Sequence, residues 1–208
     1  MNNIKIPNNI FLSIPDKEIL KNQNNKITII INKIKKEYSN YKVIIYDDLT
    51  SYQLIKEYDD ELLKICYEEL LPGAFKCDIF RLVVLEQFGG IYIDIGLYPN
   101  PTFFLPLLND NELVLCEDRP LHFSGYKIYN AIMASVKNHV FLKKLIEKIK
   151  YNVIHFKYGV NMLDITGPVT VGTLFNEMYH TKKADNKRIY SKYIFNLKSD
   201  LKHICVNL

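Results

Sequence analysis

The fold of this chain is decided by residues 78–94, which read DIFRLVVLEQFGGIYID. Apolar side chains recur there at helical spacing, which predicts a helix from about Ala74 to Phe88. Gly89 favours the left-handed backbone conformation just beyond a helix end, and Gly90 allows the sharp turn that follows. Residues 91–94 alternate in character, which predicts a strand. The stretch therefore predicts a helix, a tight turn and a strand.

Four side chains of this stretch are candidates for chemistry. Asp78 and Arg81 are three residues apart, so they share one face of the predicted helix, where a solvated ion pair is the simplest interpretation. Tyr92 and Asp94 share one face of the predicted strand, and a surface carboxylate is the simplest interpretation of Asp94. The short turn brings the helix face near the strand end, and ligands bind at the carboxyl ends of strands in open α/β sheets. Their convergence favours a binding site.

In this order and spacing the residues resemble the sugar-binding, DXD-containing region of a glycosyltransferase family. That family includes yeast initiating α-mannosyltransferases, capsular polysaccharide sugar transferases and, more distantly, the glucosylating clostridial toxins. The positions that match its pattern are Asp78, Arg81, Leu85, Gly89, Gly90, Tyr92 and Asp94. Weaker similarities flank the motif in the family's order, at residues 6–10, 41–48, 130–135 and 164–168.

The resemblance implies a GT-A-type nucleotide-sugar-binding fold with a mostly parallel central sheet flanked by helices. The alternation of predicted strands and helices independently indicates an α/β layered architecture. The composition does not change along the 208 residues, which predicts a single domain over residues 1–208.

The resemblance also implies an activity: transfer of a hexose from a nucleotide diphosphate sugar, with retention at the anomeric carbon. By that analogy Asp78 and Arg81 hold hydroxyls of the donor sugar, and Tyr92 packs near the nucleotide or the sugar. Asp94 is the implied catalytic residue, which contacts ribose and sugar and binds the metal. The full set implied to bind substrate is Asp78, Arg81, Gly89, Gly90 and Tyr92. The implied partners are a UDP- or GDP-sugar donor and a glycan or protein acceptor.

One residue departs from the family pattern, because Gly96 stands at the second Asp of the DXD motif. The family's divalent cation, Mn²⁺ or Mg²⁺, would then rely on Asp94, with Glu117 and Asp118 as candidate additions or as an exposed acidic turn. The chain also has no Trp, which many relatives place near this site. Three interpretations stay open: weakened metal binding, metal-independent catalysis, or loss of activity. The alternative function is a catalytically impaired module that binds a nucleotide sugar or a glycan.

Composition argues against several other classes. The net charge of +4 comes from lysines spread along the chain, which does not favour a nucleic-acid partner. The five histidines lack zinc-binding spacing, and the four cysteines lack paired metal or redox spacing, which indicates a reducing compartment. The start of the chain lacks the apolar core of a signal peptide, and no apolar run approaches the length of a membrane span. We therefore expect a soluble, cytoplasmic protein without an anchor.

Two further expectations concern elements near the motif. Pro99, Pro101 and Pro106 predict an irregular loop close to the site. Asn138 is the predicted N-cap of a helix that runs through about Lys150.

Overall fold

The computed structural model of the protein describes residues 5–109, 111–118, 127–157, 159, 164–179 and 194–196. The strands are β1 (Asn9–Ser13), β2 (Lys42–Tyr46), β3 (Gly90–Asp94), β4 (Leu113–Glu117), β5 (Ile128–Ser135) and β6 (Ile194–Asn196). The α-helices are α1 (Lys26–Glu37), α2 (Asp48–Glu57), α3 (Glu61–Glu69), α4 (Gly73–Phe88), α5 (Pro101–Leu108), α6 (Val140–Ile154) and α7 (Pro168–Tyr179). A short 3-10 helix spans Lys17–Lys21. None of the described helices has the length and apolar character that crossing a bilayer requires.

The six strands form one sheet in the order β2-β1-β3-β5-β4-β6. Strand β1 pairs in parallel with both β2 and β3, and β4 pairs in parallel with β6. Strand β5 is antiparallel to its neighbours β3 and β4. Five strands therefore run in one direction and β5 runs against them. The predicted α/β fold with a mostly parallel sheet is confirmed.

The common strand direction creates one edge at which several strands end. Ser13 at the end of β1 is in register with Tyr46 of β2 and with Asp94 of β3. We call this the carboxyl edge, defined by Ser13, Tyr46 and Asp94. It is the edge at which open α/β sheets bind ligands.

Apolar clusters cover both faces of the sheet because the side chains of each strand alternate between them. Tyr92 belongs to the first cluster, which is covered by residues of α4, α6 and α7 such as Phe80, Phe141 and Phe175. Its neighbours Ile91 and Ile93 belong to the second cluster, which is covered by residues of α1 and α5. The predicted alternation in β3 is confirmed.

The turn between α4 and β3 depends on its two glycines. Gly89 has φ 63° and ψ 161°, and Gly90 has φ 130°. Gly89 therefore has the predicted positive φ, but its ψ is extended instead of left-handed helical. An added Cβ would lie 2.6 Å from the Lys137 amide nitrogen at Gly89, and 2.6 Å from the Asn9 carbonyl oxygen at Gly90. Close backbone approach and positive φ together require glycine at both positions.

The predicted proline loop is wrong, because Pro101–Leu108 forms helix α5. The Asn100 side chain caps it by accepting a hydrogen bond from the Thr102 amide. Pro101 occupies the first turn, where its missing N–H costs no helical hydrogen bond. Phe104 and Leu108 bury the apolar face of the helix, and this packing outweighs Pro106 in its last turn.

The predicted cap of α6 is displaced by one residue. His139, not Asn138, is the N-cap, and its Nδ1 accepts a hydrogen bond from the Phe141 amide at 3.1 Å. Burial lowers the pKa of His139, which favours the neutral ring that can accept this bond. Asn138 has φ 60°, a left-handed conformation that Asn tolerates, so it forms the turn before the helix.

Candidate functional site

Arg81 of α4 is the centre of a buried polar cluster behind the carboxyl edge. Its side chain is 5% exposed, and Nη2 lies 3.2 Å from Oδ1 of Asp78 and 3.3 Å from Oδ1 of Asp94. Nη1 donates to the Asn130 carbonyl at 2.5 Å, and Nε donates to the Cys77 carbonyl at 3.2 Å. The guanidinium thus joins α4, β3 and β5. The interpretation of Asp78 and Arg81 as a solvated ion pair is wrong.

Asp78 is a buried carboxylate with both oxygens engaged by protein. Oδ1 accepts from the Asn130 side-chain amide at 2.8 Å, and Oδ2 accepts from the Thr166 hydroxyl at 2.7 Å. Burial raises the pKa of Asp78, and the charge of Arg81 and the Thr166 hydrogen bond oppose that rise. Arg81, Asn130 and Thr166 together stabilise the negative charge of Asp78.

Tyr92 and Asp94 extend the cluster to the surface. The Tyr92 ring is fully buried and lies 4.7 Å from the Arg81 guanidinium carbon. Its hydroxyl donates to Oδ1 of Asp94 at 2.7 Å. That donation uses its one proton, so the Cys77 thiol, 3.0 Å away, is the donor in the contact with the Tyr92 oxygen. Burial raises the pKa of Tyr92 well above its usual value, so it remains a donor at physiological pH.

Asp94 is the carboxylate of the cluster that a ligand can reach. Its side chain is 36% exposed, whereas that of Asp78 is 11% exposed. Among the described residues, Arg81 and Tyr92 contact Asp94, and both contacts reach Oδ1 and not Oδ2. Two carboxylates share one guanidinium, so the cluster carries a formal excess of one negative charge. This arrangement suits recognition of sugar hydroxyls by a fixed carboxylate.

The structure brings together Asp78, Arg81, Tyr92 and Asp94, but not the two glycines of the motif. Gly90 begins β3 and Asp94 ends it, and four strand steps separate them by about 13 Å. Gly89 and Gly90 contact the backbone of the opposite edge of the sheet, where they form the turn after α4. The roles of the four clustered residues in binding and catalysis stay predictions.

The candidate metal ligands beyond Asp94 do not join the cluster through strand pairing. Gly96 has no side chain to offer, and the space around its Cβ position is open to 4 Å. Asp118 follows β4, which β5 separates from β3, a displacement of about 10 Å across the sheet. The side chain of Glu117 lies outside the described part of the protein. Among the described residues, no three His, Cys, Asp or Glu side chains form a group that could hold a metal.

A pocket of about 330 Å³ opens beside the cluster. Cys77 lines this pocket. Its thiol also contacts the Tyr92 hydroxyl, which in turn donates to Asp94. Other wall residues come from the end of β1, from α2 and from α3, and include Ser13, Ser51, Tyr52 and Tyr67. A larger cavity, about 540 Å³, lies at the opposite edge near Glu86 and Lys137, away from the cluster.

Sequence reasoning did not identify Asn130, Thr166 or Cys77 as site residues. Asn130 and Thr166 do lie in the segments 130–135 and 164–168. The similarity of these two segments to the glycosyltransferase family could have identified both residues as candidates for the site. Cys77 immediately precedes Asp78 and lies outside the positions that match the family pattern. The pocket had no such signal, because its wall comes from separate elements.

The sequence profile of the capsular polysaccharide synthesis protein family matches residues 20–202, which include the whole cluster. The protein belongs to this family. The capsular polysaccharide synthesis protein family is a glycosyltransferase family, so the predicted resemblance is confirmed.

One relative is similar in sequence to two thirds of this chain. Mannosyl phosphorylinositol ceramide synthase SUR1 of Saccharomyces cerevisiae is 26% identical over 145 residues, covering 67% of this chain and 35% of its own length. The chain thus spans about a third of that relative.

Two solved structures share the fold. The PaToxG glycosyltransferase has a TM-score of 0.57 at 18% identity, over 84% of this chain and 70% of its own. The UDP-bound glycosyltransferase domain of the YGT toxin has a TM-score of 0.52 at 12% identity, over 93% of this chain and 80% of its own. The predicted GT-A-type fold is confirmed.

Proposed function

We propose that the protein transfers a hexose from a nucleotide diphosphate sugar to a glycan or protein acceptor, with retention at the anomeric carbon. The observation that carries the proposal is Asp94, a partly exposed carboxylate at the carboxyl edge that Arg81 and Tyr92 hold from behind. Membership of a glycosyltransferase family supports a transferase. Two relatives support the choice of donor: the one named a mannosyl phosphorylinositol ceramide synthase, and the toxin domain solved with UDP.

The donor is proposed to lie across the carboxyl edge, with its nucleoside in the 330 Å³ pocket and its sugar beside Asp94. Asp94 would accept hydrogen bonds from ribose and sugar hydroxyls through Oδ2, while Arg81 and Tyr92 fix its position through Oδ1. Because the carboxylate is already held in one orientation, less conformational entropy is lost when the donor binds. In the transfer, the bond from the anomeric carbon to the diphosphate breaks, the acceptor oxygen bonds to that carbon, and the acceptor proton leaves with the diphosphate.

Asp94 is also the proposed ligand of a divalent cation, Mn²⁺ or Mg²⁺. Asp94 would supply one carboxylate to this cation, and hard divalent cations at phosphate sites are held by one or two protein carboxylates. Such a cation, when bound, neutralises charge on the leaving diphosphate. The chain's own contribution is the fixed Oδ1 and the available Oδ2 of Asp94.

The first experiment measures sugar transfer and donor hydrolysis by the wild-type protein and by Asp94→Asn, with a panel of UDP- and GDP-sugars. We expect Asp94→Asn to abolish turnover and to leave the melting temperature close to that of the wild type. Asp59→Asn is the matched control, because Asp59 is exposed and lies at the opposite edge. Full activity in Asp94→Asn would remove Asp94 from the mechanism.

Gly96 favours a second candidate function, a nucleotide-sugar-binding module without turnover. Gly96 is exposed, and a Cβ there meets no atom within 4 Å, so a side chain can be added without a clash. Gly96→Asp restores the second carboxylate of the motif, and Gly96→Asn is the uncharged control of the same size. Manganese-dependent turnover that appears only in Gly96→Asp would identify the natural protein as the binding module. Turnover in the wild type identifies it as the transferase.

A further inference from the structure

Cys77 differs in placement from the other two cysteines that the structure describes. Cys66 and Cys116 are buried, which is usual for a cysteine that packs as a small apolar residue. Cys77 is half-buried and lines the 330 Å³ pocket. Its thiol lies 3.0 Å from the Tyr92 hydroxyl oxygen, to which it donates. Cys77 therefore lies between the pocket and a residue that contacts Asp94.

Two residues contact Asp94 Oδ1 in the described part of the chain, and both are joined to Cys77. The Tyr92 hydroxyl donates to Oδ1 at 2.7 Å and accepts from the Cys77 thiol. Arg81 Nη2 lies 3.3 Å from the same oxygen, and Arg81 Nε donates to the Cys77 carbonyl at 3.2 Å. The four residues thus form a closed ring of contacts, in which Cys77 is the member opposite Asp94.

The thiol fixes the direction of the Tyr92 proton. A phenol hydroxyl has one proton and can also accept a hydrogen bond. Because the thiol donates to the phenol oxygen, the phenol proton points to Asp94, and hydrogen bonds in series strengthen one another. The Tyr92 ring is held in place, since it is fully buried and packs edge-on against Phe80 with ring centroids 6.3 Å apart. The loss of the thiol is therefore felt at Asp94.

We propose that Cys77 is a positioning residue for the transfer. Its thiol holds the Tyr92 proton toward Asp94 Oδ1 and so keeps that carboxylate oriented for the donor. This inference rests on the proposed function. Cys77 acts through Tyr92 and not on the reacting bond, and its sulfur forms no covalent bond in the reaction.

Cys77 also packs against the first apolar cluster, and two substitutions separate this packing from donation. Serine keeps a donor at this position but is a poorer apolar group, whereas alanine is apolar and has no donor. A positioning role therefore predicts faster turnover in Cys77→Ser than in Cys77→Ala. A packing role predicts that Cys77→Ser is no better than Cys77→Ala.

The test measures kcat/KM for the donor in the full chain. We expect Cys77→Ala to lower kcat/KM roughly two- to ten-fold, the range of one neutral hydrogen bond. We expect Cys77→Ser to restore most of this loss. In a Tyr92→Phe background, Cys77→Ala should cause no further loss, because the link to Asp94 is already missing.

Cys116→Ala is the matched control. Cys116 is fully buried on β4 and belongs to the second apolar cluster, whereas Tyr92 belongs to the first. The two clusters lie on opposite faces of the sheet. We expect Cys116→Ala to lower the melting temperature and to leave kcat/KM unchanged.

The direction of the thiol hydrogen bond has a readout that needs no turnover. The infrared S–H stretching band of Cys77 is isolated by subtracting the spectrum of Cys77→Ser, in the wild-type and in the Tyr92→Phe background. Donation to an oxygen lowers the frequency of this band. We expect a higher frequency in Tyr92→Phe, which removes the acceptor, and an unchanged band would overturn the thiol as the donor.

The outcomes separate this inference from the proposed function. Wild-type turnover with an unchanged kcat/KM in Cys77→Ala, or with equal losses in Cys77→Ala and Cys77→Ser, overturns the role of Cys77 and leaves the proposed function intact. An additive loss in the Tyr92→Phe background also overturns that role, since Cys77 would then act by another route. Wild-type protein that turns over no UDP- or GDP-sugar overturns both.

Discussion

Arg81 is the residue on which the charge balance of the site depends. Its guanidinium contacts Asp78 and Asp94 and donates to two backbone carbonyls. Arginine suits this task because its planar group presents five donors in fixed directions. Asp78 and Arg81 could be placed on one helix face from the sequence alone, because helical periodicity is local. Their burial could not, because it depends on Asn130 and Thr166, which are 52 and 88 residues from Asp78.

Arg81→Met tests this charge balance. The variant leaves the buried Asp78 carboxylate without its cation, and breaking a buried pair in this way costs about 3–5 kcal/mol. Urea unfolding at pH 7 measures the loss. Lys64→Met is the control, because Lys64 pairs with the exposed Glu61 and such surface pairs contribute about 0–1 kcal/mol. A similar loss in both variants would contradict the assigned role of Arg81.

The loss in Arg81→Met should depend on pH, with a sign set by Asp78. Burial already raises the pKa of Asp78 in the folded protein, and removal of the guanidinium raises it further. The folded state then binds a proton more readily than the unfolded state, in which the pKa is about 3.9. Stability therefore falls as pH rises above that value. We expect a smaller difference from the wild type at pH 4.5 than at pH 7, and a pH-independent difference would contradict this account.

At the scale of elements, the α4–β3 turn positions the site. It places the Arg81 face of α4 against the end of β3, so that Arg81 and Asp94 meet at 3.3 Å. The sequence predicted this turn correctly, because Gly89-Gly90 ends a helix and begins a strand within two residues. It did not predict helix α5, since three prolines indicated an irregular loop there. Tertiary packing of Phe104 and Leu108, together with the Asn100 cap, decided that element.

Gly90→Ala tests the turn. Gly90 has φ 130°, and an added Cβ would lie 2.6 Å from the Asn9 carbonyl oxygen. Backbone strain of this kind costs about 1–3 kcal/mol, and the contact adds to it. Gly73→Ala is the control, because a Cβ at Gly73 meets no atom within 4 Å. Thermal unfolding should show a lower melting temperature for Gly90→Ala and an equal or slightly higher one for Gly73→Ala. Equal melting temperatures for the two variants would contradict the packing described for the turn.

At the scale of the whole molecule, one sheet separates two apolar clusters. Phe175 belongs to the cluster beneath α4, α6 and α7, and Phe104 belongs to the cluster beneath α1 and α5. The strands contribute side chains to both clusters, so neither can form without the sheet. This arrangement favours the predicted single domain, which stays a prediction.

Phe104→Ala and Phe175→Ala test the single domain. Both rings are fully buried, and truncation of such a ring costs about 3–5 kcal/mol. We expect each variant to lower the temperature of one shared unfolding transition, as measured by scanning calorimetry. Two resolved transitions, with each variant shifting only one of them, would show that the clusters unfold as separate units.

The sequence by itself determined the helix, turn and strand of residues 78–94, the predominantly parallel α/β sheet and the family. These follow from local periodicity, from backbone freedom at glycine and from motif spacing, all of which are readable along the chain. Only the tertiary structure decided that Asp78 and Arg81 are buried, that Asp94 alone among the clustered carboxylates is open, and that Ser51 lines a pocket beside them. The physical reason is that burial depends on contacts between residues far apart in sequence. Those contacts are set by the order of strands in the sheet and not by any local pattern.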